Sequence, residues 1–207
     1  LSEDLERWRR SITQSIVEHR KINNLPIDTE EIENYIDEAV QKLIDRILFI
    51  RVTEDKGIEE PALEQAVKDW DSNKGKKLFL YLKDIFRKFD NVYNSGLFRE
   101  HYSEDLHISD DVLEKVIKET YKNPRGLPYD FAAIDADILG SVYEQYLSTL
   151  LRKTAKRTSL KRSEAKRKSQ GIYYTPTYVV NYIIEKTLGE LLKESKEIDK
   201  IKVLDPA

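Results

Sequence analysis

The sequence predicts a mainly α protein, a helical bundle followed by the opening helix and strand of an α/β domain. Apolar residues recur at spacings of three and four through most of the chain, the period of an amphipathic helix. Glycine and proline number only 7 and 6 in 207 residues, and most of them fall between the periodic stretches. A β-type run, Ile201-Lys202-Val203-Leu204, comes only at the end.

Each element has its own signal. Leu1, Leu5, Trp8, Ile12 and Ile16 form the stripe of a first helix, which Asn23-Asn24-Leu25-Pro26 ends. Asp28 with Glu31 three residues on is a capping-box pattern. The helix behind it carries Ile32, Tyr35, Ile36, Ala39, Val40, Leu43, Ile47 and Ile50, and Gly57 closes it. A third helix is expected from Pro61, tolerated early in a helix, to Trp70, with 71–75 a loop. Leu78, Leu82, Ile85, Phe86 and Phe89 mark a fourth helix to about Tyr93, ended by Asn94-Ser95-Gly96. Ser109 is placed to cap a fifth, with Val112, Leu113, Val116 and Ile117. After the turn-rich Asn123-Pro124-Arg125-Gly126-Leu127-Pro128, a helix is expected from Ile134 to about Leu151. Thr175 and Pro176 then read as an N-cap and first-turn pair. They open a helix whose stripe is Val179, Val180, Ile183, Ile184, Leu188, Leu191 and Leu192. Trp8, Trp70 and the aromatics from Phe79 to Phe89 are read as core, and Asp45 and Arg46 as members of a helix-surface or interhelical ion pair.

Composition excludes several classes. Every long apolar stretch is broken by Asp, Lys or Arg, so no membrane span is expected. The acidic start Leu1-Ser2-Glu3-Asp4 is unlike a secretory signal. With no cysteine and only His19, His101 and His107, no thiolate or histidine metal site is expected, and a reducing cytoplasmic setting fits. Methionine is absent even at position 1, so the chain reads as an internal piece of a longer polypeptide. Between Arg152 and Lys168 lie nine basic residues against the single acid Glu164, a net +8 within a chain of net −3. Within that run Lys156, Arg157, Lys161, Arg162, Lys166, Arg167 and Lys168 are candidate contacts to the backbone of double-stranded DNA. Without interleaved aromatics the run gives no sign of base stacking, and a solvated loop is the plain alternative.

The residues that carry chemistry come last. An α/β nucleotide fold opens its ligand site just after its first strand, where backbone N–H groups and helix N-termini face the ligand. A carboxylate at the end of that strand, as Asp205 would be, can accept hydrogen bonds from a bound cofactor.

Gly171-Ile172-Tyr173-Tyr174-Thr175-Pro176 with Val179-Val180 resembles motif X of the amino-methyltransferases that methylate adenine N6 in DNA, and Val203-Leu204-Asp205-Pro206-Ala207 resembles the first half of their motif I. The resemblance implies a Rossmann-like α/β methyltransferase domain and a site for S-adenosylmethionine. Tyr173, Tyr174, Thr175, Pro176, Asp205, Pro206 and Ala207 would form part of that site. Tyr174 and Thr175 would approach the methionine part, and the Thr175 hydroxyl and helix N-terminus its carboxylate. Asp137-Ile138-Leu139-Gly140 with Tyr143, Glu144 and Leu147 is similar to the helix preceding motif X, although Tyr143 and Glu144 are most simply a surface pair. Residues 43–57 resemble the helical connector of single-chain type IIG restriction-modification enzymes, which joins a nuclease to the methyltransferase; a nuclease fused upstream would add Mg as its own cofactor.

Departures set limits on this reading. The catalytic Asn or Asp followed by Pro-Pro and an aromatic, which holds a flipped adenine, is absent, as are the glycines that complete motif I. No catalytic residue is therefore expected in this chain, which should be inactive by itself. The expected organisation is a helical connector at 1–151, a basic loop at 152–170 and a truncated methyltransferase start at 171–207. Two alternatives stay open: the modification subunit of a type I system, and a non-enzymatic helical adaptor binding DNA or protein.

Overall fold

The computed structural model describes residues 1–27, 29–134, 175, 177–194 and 202. It divides into two compact units, Leu1–Asp135 and Ala136–Ala207. The first unit holds α1 (Ser2–Ile22), α2 (Glu30–Asp55), α3 (Ala62–Ser72), α4 (Leu78–Tyr93), a 3-10 turn (Tyr102–Glu104) and α5 (Asp110–Tyr121). The second holds α6 (Thr177–Lys186) and α7 (Leu188–Glu194). The mainly α fold is therefore as the sequence predicts. Among the described residues extended pairing is limited to one isolated antiparallel bridge, Lys122 to Pro128.

In the first unit α2 is the central element, packing against α1, α3, α5 and the 3-10 turn, while α5 reaches α1, α3 and α4 as well. With 26 residues, α2 is about 39 Å long, enough to touch all of them in turn. Its buried stripe of Ile36, Val40, Leu43, Ile44, Ile47 and Ile50 meets Leu5, Trp8, Ile12 and Ile16 of α1 in one core, with Leu63, Trp70, Leu78, Leu82, Phe86 and Phe89 from α3 and α4. Phe98, from the loop after α4, is fully buried, with ring centroids 5.4 Å from Phe49 and 5.1 Å from Phe89. Such offset and edge-on aromatic pairs stabilise by roughly 0.5–1.5 kcal/mol beyond their buried area.

Helix ends follow local chemistry, with three corrections. The cap of α2 is Thr29, whose hydroxyl accepts from the Ile32 amide at 3.3 Å. The Asp28–Glu31 box had placed it one residue earlier, on an Asp28 outside the described residues. Ser109 sits at the cap of α5 but makes no side-chain capping bond there; its carbonyl takes the Val112 and Leu113 amides, and its own amide donates to Ser15 Oγ of α1 at 2.9 Å. The apolar stripe from 179 to 192 forms two helices where the sequence predicts one. Thr187 ends α6 by donating both its amide, at 3.0 Å, and its hydroxyl, at 2.6 Å, to the Ile183 carbonyl, a side-chain competition that bends helices.

Other expectations hold. Asn94 closes α4 at φ 44°, and Gly57 follows α2 at φ 67°, a left-handed conformation that glycine adopts without strain. Asn123 Oδ1 accepts from the Arg125 and Leu127 amides, so 123–128 is the turn its composition foretold. Of the helix expected at 134–151 only Ile134 is described, and the basic segment and the strand at 201–204, Lys202 excepted, lie outside the described residues.

Candidate functional site

The candidate cofactor residues begin just ahead of α6. Thr175 is exposed and precedes the first helical residue by two positions. Tyr173, Tyr174, Pro176, Asp205, Pro206 and Ala207 lie outside the described residues, as do the candidate DNA contacts Lys156, Arg157, Lys161, Arg162, Lys166, Arg167 and Lys168. The first turn of α6 carries no acidic side chain, whereas α1, α2, α3 and α5 each place at least one there. The first turn of α4 carries none either, so the feature does not by itself mark a ligand site. No residue of α6 is buried; Tyr178 is 75% and Tyr182 62% exposed, and Ile183, Ile184, Leu191 and Leu192 are exposed as well. The periodicity that predicted the helix is present, and its apolar face is open.

The connector-like stretch, residues 43–57, is the electrostatic centre of the first unit. Arg46 is fully buried. It donates to the carbonyls of Leu97, at 2.8 Å, and Arg99, at 2.5 Å, pairs with Glu104 at 2.7 Å, and lies 4.7 Å over the Phe86 ring. Burial presses its pKa down and Glu104 opposes that shift; an arginine remains charged throughout the accessible range. Arg87 of α4 shares the same Glu104 oxygen at 2.6 Å. The Arg46 carboxylate partner thus lies on the 3-10 turn, which gives the expected inter-element ion pair a buried setting.

A second network surrounds Arg51, which is 2% exposed. Its guanidinium pairs with Glu54 at 2.7 Å and Asp55 at 2.6 Å, and sits 3.7 Å over the Tyr121 ring. Burial lowers the Arg51 pKa, but bonds to Glu54 and Asp55 prevail and raise it. Glu54 Oε1 accepts the Ala62 and Leu63 amides at 2.8 and 3.0 Å, so a side chain of α2 caps α3. Its other oxygen takes the Tyr121 hydroxyl at 2.6 Å. Burial and that bond drive the Tyr121 pKa upward, keeping the phenol a neutral donor. Every polar atom of this cluster points at another group of the protein, and the arrangement holds helices together without presenting a reactive atom.

Sequence reasoning anticipated an ion pair at Arg46 but not its full burial, and it missed the network around Arg51. The signal was present: Arg46 lies three residues after Leu43 and four before Ile50, on the face of an apolar stripe. A charge in that register must find partners inside the protein. The described residues also form an open cleft of about 480 Å³ lined by Lys83, Arg87, Glu100, His101, Tyr102, Glu104 and Asp105. Its mixed charges pair with one another, as in Arg87–Glu104 and Lys83–Asp105, so it selects no single ligand charge. Among the described residues no group of His, Asp and Glu is placed to hold a metal ion. No helix among them is long and apolar enough to cross a membrane.

The first unit is helical and built around buried arginine networks, and the second contributes two exposed helices among the described residues. No family model matches the chain, and no solved structure matches it. It is similar to the Type II restriction enzyme and methyltransferase RM.Eco57I of Escherichia coli, 30% identical over 177 residues. The match takes in 84% of this chain and 17% of the relative, so the chain spans about a sixth of that protein's length. A match of that extent exceeds either unit alone, and therefore includes residues of both. The chain is related to a segment of a restriction-modification methyltransferase.

Proposed function

We propose that this chain is the connector and opening methyltransferase segment of a single-chain restriction-modification enzyme that transfers a methyl group from S-adenosylmethionine to adenine N6 in double-stranded DNA. The observation that carries the reading is the relative's match, which covers 84% of the chain and so includes residues of both units; the ordered motifs at 171–180 and 203–207 support it independently. The relative's description joins restriction and methylation in one protein, which favours the single-chain arrangement over a separate type I modification subunit.

In this reading α6 and the turn before it form one wall of the cofactor site. Thr175 donates its hydroxyl to the methionine carboxylate, beside the amides that open α6. Tyr173 and Tyr174 cover the methionine chain and exclude water, and Asp205 accepts hydrogen bonds from the far side of the ligand. S-adenosylmethionine supplies the electrophilic methyl group when bound. This segment's part is orientation, which accounts for a large share of catalysis when a nucleophile and a leaving group must lie in line. Residues that hold the flipped adenine belong to the rest of the polypeptide. The basic segment at 152–168 adds contacts to DNA phosphates, and each such contact steepens the salt dependence of binding by about one logarithmic unit.

The test uses the longer polypeptide containing this segment, duplex DNA and S-adenosylmethionine labelled in the methyl group. Label recovered as N6-methyladenine supports the reading; label on cytosine overturns the base assignment, and no transfer overturns the enzyme class. Thr175→Val should weaken S-adenosylmethionine binding about tenfold, the loss of one hydrogen bond to a charged group. Unchanged affinity would remove Thr175 from the site.

A further inference from the structure

The chain leaves the first unit through Tyr129–Phe131, a segment outside every helix and nevertheless tied to three of them. The Tyr129 hydroxyl donates to Asp4 of α1, the Tyr129 amide to the Tyr121 carbonyl at 2.9 Å, and the Phe131 amide to Asp55 Oδ2 at the end of α2 at 2.8 Å. The Tyr129 ring stands edge-on to Trp8 at 6.3 Å and stacks on Phe131 at 5.6 Å. Phe131 is fully buried, with the Arg51 guanidinium 5.7 Å from its ring. On the opposite side Asp4 also pairs with Arg7. Residues 1–8 and 129–131 therefore occupy one corner of the unit.

We propose that Tyr129–Phe131 is a clasp that fastens the chain's exit from the helical unit to its beginning. The geometry suits a fastening that opens by itself. One phenol–carboxylate bond, two backbone amide bonds and one buried ring hold it, and none of these belongs to the hydrogen-bond ladders of α1–α5. Closed, it fixes the direction in which the chain departs. Opened, it frees that departure while the five helices keep their shared core.

The chain contains no cysteine, so paired spin labels can be placed at Ser2→Cys and Ala132→Cys in the full 207 residues without background. Pulsed electron–electron resonance should give one short, narrow distance distribution. Tyr129→Phe should broaden it, and Phe131→Ala should abolish the narrow peak while the far-ultraviolet circular dichroism stays helical. A broad distribution in the parent overturns the clasp, and so do narrow, unshifted distributions in both variants. Should Phe131→Ala lose its helical signal, Tyr129→Phe decides alone, with an unshifted narrow peak counting against the proposal.

Discussion

Arg46 donates to two backbone carbonyls and one carboxylate inside a core of Leu, Ile and Phe. Removing it leaves those acceptors buried without a donor, a loss of about 3–5 kcal/mol for one member of a buried pair. Exposed pairs such as Lys68–Glu64, 61% and 52% exposed, contribute at most about 0.5 kcal/mol. In urea unfolding, Arg46→Ala should therefore lower stability several-fold more than Lys68→Ala; equal midpoints would show the network carries no net energy. His107 makes a pH prediction. Its ring stacks on His19 at 4.0 Å, and Lys77 and Asp110 also face it. Burial first, then His19 and Lys77, hold His107 below the ordinary imidazole pKa of 6.5, with Asp110 opposing them. As pH falls through that value the unfolded chain takes up a proton that the folded chain refuses, so His107 disfavours folding there and stability drops. Midpoints measured at about pH 7.5 and about pH 5.5 should fall less in His107→Gln than in the parent, and equal falls contradict the assignment.

At the scale of elements, α3 depends on Glu54. Pro61 stands at its N-cap and makes no side-chain bond, so Glu54 from α2 supplies the acceptor for the Ala62 and Leu63 amides. Glu54→Ala should speed hydrogen exchange at those two amides before it affects the middle of α2, and unchanged protection would mean that solvent caps the helix equally well. Local signals in the sequence were enough to find α1 to α5, because period, proline and glycine act within a few residues. The Glu54 cap was not legible: its partners lie eight and nine residues away, beyond a glycine turn, with no capping pattern between them. The division of the 179–192 stripe at Thr187 was also missed, since apolar periodicity is blind to a hydroxyl that turns back on its own helix. Thr187→Ala removes that competing donor, so the exchange protection of residues 188–191 should rise towards that of α6; no rise would assign the bend to Gly189.

For the whole molecule, the first unit is held by buried charge networks around one long helix, and the second presents an open apolar helix behind Thr175. The relationship to a restriction-modification methyltransferase agrees with the resemblance read at residues 171–180 and 203–207, most of which lie outside the described residues. The proposed cofactor wall can be tested at the peptide level. Between Lys168 and Lys186 the sequence has no lysine or arginine, so trypsin releases 169–186, with Tyr173, Tyr174, Thr175 and Pro176, as a single peptide. Photo-crosslinking of labelled S-adenosylmethionine to the longer polypeptide, followed by tryptic mapping, should place label on residues 169–186 or on the peptide beginning at Val203. Label confined to peptides outside both would contradict the account.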